Sequence, residues 1–181
     1  MLIKKLRSYF LPDWYIKDLR NIDWPRLYAQ GIRVAMLDKD NTLVCHGETS
    51  CDDYTRTVVA SVKAAGIEPV LLSNAPDKKC DEFAASAGIC VEGNAGKPGT
   101  KGILRVLDRW KVSADETVMV GDQLFTDVWA GKKAGVKTLL VEQRFRQEVF
   151  YVKLKRLLEK IIVDKSQYDD LEDISLQISA E

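Results

Sequence analysis

The run Asp38-Lys39-Asp40-Asn41-Thr42-Leu43-Val44 would bring two carboxylates into a site from a single turn, one residue apart. It directly follows an apolar stretch, 32–37, that reads as a central strand. Ser73-Asn74 closes a second such stretch and Gly121-Asp122 a third, with Asp127 in the loop-to-helix segment behind it. Open α/β sheets take ligands beyond the carboxyl ends of their strands, so three strand ends would deliver polar groups to one edge. Singly, each aspartate could serve as a turn former or a helix cap. Together, Asp38, Asp40 and Asp122 would crowd negative charge into a small space, and a divalent cation such as Mg²⁺ best relieves that repulsion. Carboxylates without a soft Cys or His set favour a hard metal. Lys97-Pro98, ahead of an expected helix, supplies one positive charge that could reach an anionic substrate.

The elements that must position these groups are legible as alternating periods. Strands are expected at 32–37, 67–72, 89–91, 117–120 and 136–141, the second despite Pro69. Helices are expected at 53–65, 77–87, 100–110 and 124–134. Ala-Ala-Gly-Ile at 64–67, Ser-Ala-Gly-Ile at 86–89 and Lys-Ala-Gly-Val at 133–136 each end a helix on glycine and open a buried strand. Strands alternating with helices of this length imply right-handed crossovers. The expected class is α/β: an open three-layer α/β/α domain with a mostly parallel sheet. About ten residues separate Val44 from the helix beginning near Asp53, so no connection can hide a cap domain and the site should be open.

The ordered set of Asp38-Lys39-Asp40-Asn41-Thr42, Ser73-Asn74, Lys97-Pro98 and Gly121-Asp122 with Asp127 resembles the four motifs of the haloacid dehalogenase-like phosphatases, over about residues 32–141. That resemblance implies a Rossmann-like fold and roles for each position. Asp38 would attack phosphorus and Asp40 would act as general acid and base. Asp122 would bind Mg²⁺ with Asp38 and the backbone carbonyl of Asp40, while Asp127 supports the metal shell. Ser73, with Asn74 beside it, would hold phosphate, and Lys97 would offset charge on the phosphorylated enzyme. Thr42 and Asn41 would order the nucleophile loop, Thr42 with the more direct role. An aspartate at position 40 rather than an apolar residue argues for phosphatase chemistry over dehalogenation.

Leu11-Pro12-Asp13, Ile22-Asp23 and Gly31-Ile32 sharpen the likeness towards the capless subfamily IIIA type, in particular the bacterial and mitochondrial branch that includes phosphatidylglycerophosphate phosphatase. Many bacterial members carry an apolar residue between the motif aspartates, where this chain has Lys39. Its direction, inward or away from the metal, is open.

Composition bounds the alternatives. The 181 residues suit one domain, expected over 1–165, followed by an acidic tail at 166–181 that looks poorly ordered. Hydrophobic residues make up 46% and charged residues 30%, which excludes a disordered or fibrous chain, and a formal net charge of zero gives no overall basicity for nucleic-acid binding. No run of about 18 uncharged apolar residues could cross a bilayer, and the opening residues lack the pattern of a signal peptide. Cys45, Cys51, Cys80 and Cys90 include no CxxC pair, so a reducing cytoplasm is the simplest setting. Cys45-His46 with Cys51 lacks a fourth zinc ligand, Cys80 and Cys90 read as buried small hydrophobes, and 93–99 lacks the ending of a nucleotide P-loop.

Two flanks are amphipathic. Leu2, Ile3, Leu6, Tyr9, Phe10 and Leu11 alternate with Lys4, Lys5 and Arg7 and run on through Trp14, Tyr15 and Ile16. This reads either as an arm packed on the core or as an interfacial anchor. Residues 144–160 carry six basic against two acidic residues around Phe150, Leu154, Leu157, Leu158 and Ile161, either a covering helix or a surface for anionic phospholipid. The leading expectation is a Mg²⁺-dependent phosphomonoesterase whose most specific substrate is phosphatidylglycerophosphate, cytoplasmic and peripheral on the inner face of the membrane. The alternatives are a phosphatase of a soluble sugar phosphate, nucleotide or phosphoprotein, and a non-catalytic phosphate-recognition module. Oligomeric state, and whether a partner completes the open site, are not fixed by the sequence.

Overall fold

The computed structural model describes residues 10–145. Its six strands are β1 (Trp14–Ile16), β2 (Val34–Leu37), β3 (Glu68–Leu72), β4 (Cys90–Glu92), β5 (Thr117–Gly121) and β6 (Lys137–Val141). They form one parallel sheet in the order β1-β6-β5-β2-β3-β4. The helices are α1 (Trp24–Ala29), α2 (Asp53–Ala64), α3 (Asp77–Ala87), α4 (Lys101–Trp110) and α5 (Trp129–Ala134). The three-layer α/β/α class expected from the alternating periods is what the chain adopts, with strand ends within two residues of the expected positions.

β2 is central because its four residues are all apolar and all buried. Successive side chains point to opposite faces: Ala35 and Leu37 join Val58, Val62, Phe83 and Leu27 in one core layer, while Val34 and Met36 join Ile103, Val106 and Ala130 in the other. Leu37 pairs with Leu71 on one side and Val120 on the other, so β2, β3 and β5 end level with one another. Asp38, Ser73 and Asp122 therefore leave the sheet along one edge. The chain order reverses between β2 and β5, the position where open α/β sheets form their ligand crevice. The Ala-Gly punctuation also holds: Gly88 and Gly135 follow α3 and α5 at φ +63° and +77°, a left-handed conformation that costs glycine nothing.

Trp14–Ile16 packs on the core, as the first of the two readings of the flank has it, in the form of an edge strand paired with β6; Tyr15 is buried, and Phe10 packs against the rings of Phe125 and Trp129 with centroids 5.3 Å away. Two local expectations are corrected. The helix expected over 124–134 opens as a π-helical turn, Leu124–Val128, before α5 begins. Cys80 is buried as expected, but Cys90 lies on edge strand β4 and is only half-buried. The rest of the N-terminal flank, 1–9, and all but the first two residues of the basic segment and the tail lie outside the described residues. Among the described residues no helix is long and apolar enough to cross a membrane.

Asp13 fastens β1 to the sheet. Its carboxylate accepts hydrogen bonds from the Thr138 amide and hydroxyl, both at 2.8 Å, and from Lys132 Nζ at 2.7 Å. Burial alone would raise its pKa, but these donors together hold it below the usual carboxylate value. Asp13→Ala is expected to cost about 2 kcal/mol, since hydrogen bonds to a charged group are lost and Thr138 is left short of an acceptor. A depressed folded-state pKa gives stability that is present above the unfolded value of about 4 and disappears as pH falls through the folded one. Urea melts of both proteins from pH 7 down to pH 3 should show the difference narrowing in that acid window. A gap that stays constant across it would contradict the charge-based account.

Candidate active site

The residue after β2 starts the site. Asp38 donates its amide to Val120 O at 2.9 Å, which fixes the backbone where the carboxylate projects beyond the sheet. The chain then folds into a tight turn: Asn41 sits at φ +63°, its amide reaches Val44 O at 2.7 Å, and Leu43 and Val44 both donate to Lys39 O. Asparagine tolerates this left-handed conformation better than most residues. The turn buries Thr42, whose hydroxyl donates to Asp122 Oδ1 at 3.2 Å and so ties the first strand end to that of β5.

Lys97 occupies the middle of the site. Its Nζ donates to Asp38 Oδ1 at 2.6 Å, Asp127 Oδ1 at 2.7 Å and Leu72 O at 2.9 Å, using all three ammonium protons. Burial opposes its charge, but Asp127 and Asp38 outweigh that penalty and raise its pKa. Asp38 is only 8% exposed. Burial, with the nearby charges of Asp127 and Asp40, outweighs the pull of Lys97 and holds its carboxyl up at about 7. Such a carboxylate keeps its charge best with a further cation beside it.

Asp38, Asp122 and Asp127 place carboxylate oxygens within 4.8 Å of one another, all three residues buried. Asp38 Oδ2 is buried without a hydrogen-bond donor among the described residues. The oxygens of Asp127 are both engaged, Oδ1 by Lys97 and Oδ2 by the Gln123 amide at 3.1 Å. A hard, oxygen-rich donor set with an orphaned buried oxygen fits a divalent cation of the Mg²⁺ type, with Asp38 the more available ligand and Asp127 the better support.

The remaining expected residues take distinct places. Asp40 stands at the rim, 24% exposed in its side chain, and its Oδ1 accepts from the Gly47 amide at 3.2 Å and meets Lys39 Nζ at 3.1 Å. Ser73 is buried, and its hydroxyl accepts from the Ala75 amide at 3.1 Å. The Asn74 side chain is spent on the backbone of Lys97, donating to its carbonyl at 2.8 Å and accepting from its amide at 2.7 Å. Asn74 thus bears on the site through Lys97. Cys51 turns from any metal position into the fold, its Sγ 3.0 Å from Ser86 O and 3.1 Å from Arg56 Nη1.

Two contributors were not singled out for the site by sequence reasoning. Gly121 is required because a Cβ there would run into the Asp127 side chain, 2.6 Å from its Cβ; its place beside Asp122 in the motif was the available signal. Arg144 lies across the Asn41–Leu43 turn, its amide donating to Asn41 O, its guanidinium bonding Leu43 O and Asp52 Oδ2 and stacking 3.6 Å from the Tyr54 ring centroid. Its charge serves the turn. Among the described residues no cap insertion covers this arrangement: residues 38–52 between β2 and α2, and 73–76 between β3 and α3, carry no helix or sheet strand of their own.

A family model described as haloacid dehalogenase-like hydrolase matches residues 24–135. The chain belongs to that family. The match runs from α1 to the glycine after α5 and contains Asp38, Lys97, Asp122 and Asp127. Among relatives of this haloacid dehalogenase-like hydrolase, "Probable phosphatase YqeG" of Bacillus subtilis is 28% identical over 87% of this chain and 92% of its own length. "Phosphatidylglycerophosphate phosphatase 1, chloroplastic/mitochondrial" of Arabidopsis thaliana is 30% identical over 91% of this chain, which spans 50% of that protein's length. The fold resembles a solved Listeria monocytogenes protein without an assigned function, with a TM-score of 0.53 at 14% identity, covering 70% of this chain and 97% of that one.

Proposed function

We propose that this haloacid dehalogenase-like hydrolase cleaves phosphate monoesters through an aspartyl-phosphate on Asp38, and that phosphatidylglycerophosphate is its substrate. The observation that carries the chemistry is the buried Asp38 carboxylate held by Lys97 on Oδ1 with Oδ2 unpartnered, at the mouth of an uncapped strand edge. Asp38 and Asp122 side chains with the Asp40 carbonyl would hold Mg²⁺, supported by Asp127. Bound there, the cation neutralises carboxylate charge and polarises the phosphoryl group. Asp38 attacks phosphorus, and Asp40 gives a proton to the leaving alcohol. Asp40 then takes a proton from the water that hydrolyses the acyl phosphate. Lys97 stabilises charge on the equatorial oxygens, Ser73 and neighbouring amides orient the phosphate, Asn74 holds Lys97, and Thr42 holds Asp122.

The lipid assignment is supported by the Arabidopsis relative's name and by an open mouth that a headgroup at an interface can approach. The test is Mg²⁺-dependent phosphate release from phosphatidylglycerophosphate in mixed micelles, beside soluble sugar phosphates and nucleotides. Faster turnover of the lipid, with binding to anionic vesicles, is the expected result. Turnover confined to the soluble esters would overturn the lipid substrate and keep the phosphatase chemistry. Failure on every ester, with folded protein and Mg²⁺ present, would leave a phosphate-recognition module.

A further inference from the structure

Lys39 resolves into an unusual position for a lysine beside a reaction centre. Its side chain is only 4% exposed, and its Nζ lies 5.8 Å from the centroid of the Phe83 ring. It donates to Glu48 O at 2.7 Å and meets Asp40 Oδ1 at 3.1 Å. An apolar residue would fill this place without desolvating an ammonium, so the charge is retained against a cost. What it faces is Asp40 and the Cys45–Glu48 loop. The Gly47 amide reaches the same Asp40 Oδ1 at 3.2 Å, and His46 Nδ1 lies 3.5 Å from it. Among the described residues these three contacts all fall on one oxygen, Oδ1.

We propose that Lys39 is a positioning residue for proton transfer by Asp40: it fixes the carboxylate through Oδ1, ties it to the 45–48 loop, and so presents Oδ2 to the leaving oxygen. This rests on the phosphatase reading above. In the first half-reaction the bond from Asp38 to phosphorus forms as the ester P–O bond breaks, and the proton on Asp40 Oδ2 passes to the departing oxygen. In the second, water attacks phosphorus and gives its proton back to Oδ2, the Asp38–phosphorus bond breaks and inorganic phosphate leaves. Lys39 touches neither substrate nor cation in this scheme; it sets the direction of one carboxylate.

The experiment is the dependence of kcat/KM on leaving group across aryl phosphates from p-nitrophenyl to phenyl phosphate. Need for a proton rises along that series. Lys39→Met should lose on the order of 100-fold on phenyl phosphate and only several-fold on p-nitrophenyl phosphate, because misaligning a proton donor penalises only the departure that needs one. Lys39→Arg should restore most of the loss, and Asp40→Asn should show the same steepened dependence. A uniform loss across the series in Lys39→Met, with Asp40→Asn steepened, would overturn the inference alone. A flat series in Asp40→Asn, or a wild type inactive on every ester, would overturn the proton-transfer reading and the inference with it. Should Lys39→Met fail to fold, Lys39→Gln, which keeps a donor towards Glu48 O, is read by the same criteria.

Discussion

Asp38→Asn is expected to lower kcat by on the order of 10⁵-fold, because the side chain that forms the covalent intermediate is replaced by one that cannot displace the ester oxygen. The amide has nearly the same volume and keeps an acceptor for Lys97, and it removes one of three carboxylates crowded within 4.8 Å. Thermal stability without metal should therefore be equal to wild type or higher. That combination separates a missing nucleophile from a damaged fold. Circular dichroism melts together with phosphate release measure both quantities, and a variant that melts normally yet still turns over at more than a hundredth of the wild-type rate would remove Asp38 as the nucleophile.

Lys97→Met should produce the second large loss, and in two properties at once. The ammonium bridges Asp38 and Asp127, at 2.6 and 2.7 Å. Removing one partner of a buried ion pair leaves uncompensated charge and costs about 3–5 kcal/mol. It also removes the positive charge beside the attacking carboxylate, where charge develops on the phosphoryl oxygens, worth about 10²–10³ in kcat. Because a divalent cation can replace part of the lost positive charge, the stability deficit should be largest in EDTA and shrink on adding Mg²⁺. Urea unfolding with and without the ion checks this. A deficit indifferent to Mg²⁺ would argue against a cation site at these carboxylates.

The catalytic edge was readable from sequence because strand ends are local signals. An apolar run ending in Asp38, Ser73 or Asp122 states both the element and the residue that leaves it, and level strand ends bring the three together. The parts that were not readable depend on distance or on length. β1 has three residues, too few for a period of two to show, and its aromatic residues continue the pattern of the segment before it. Arg144 and Leu43 are 101 residues apart, and nothing local in the basic stretch beginning at 144 reports that its first arginine turns inward onto the turn after Asp38. The direction of Lys39 depended on the fold of the 45–48 loop and on Phe83 beneath it, neither of which a dipeptide pattern contains. The same holds for Asn74, whose amide and Lys97's backbone meet 23 residues apart.

The central claim is that Asp38 carries the phosphoryl group during turnover. Its most direct measurement is acid quenching of the protein during Mg²⁺-dependent hydrolysis of a phosphate monoester, followed by peptide mass spectrometry. The account predicts an acid-stable phosphate adduct on Asp38 that appears and decays within turnover and is absent from Asp38→Asn. Turnover without an adduct, or an adduct on another residue, would contradict it.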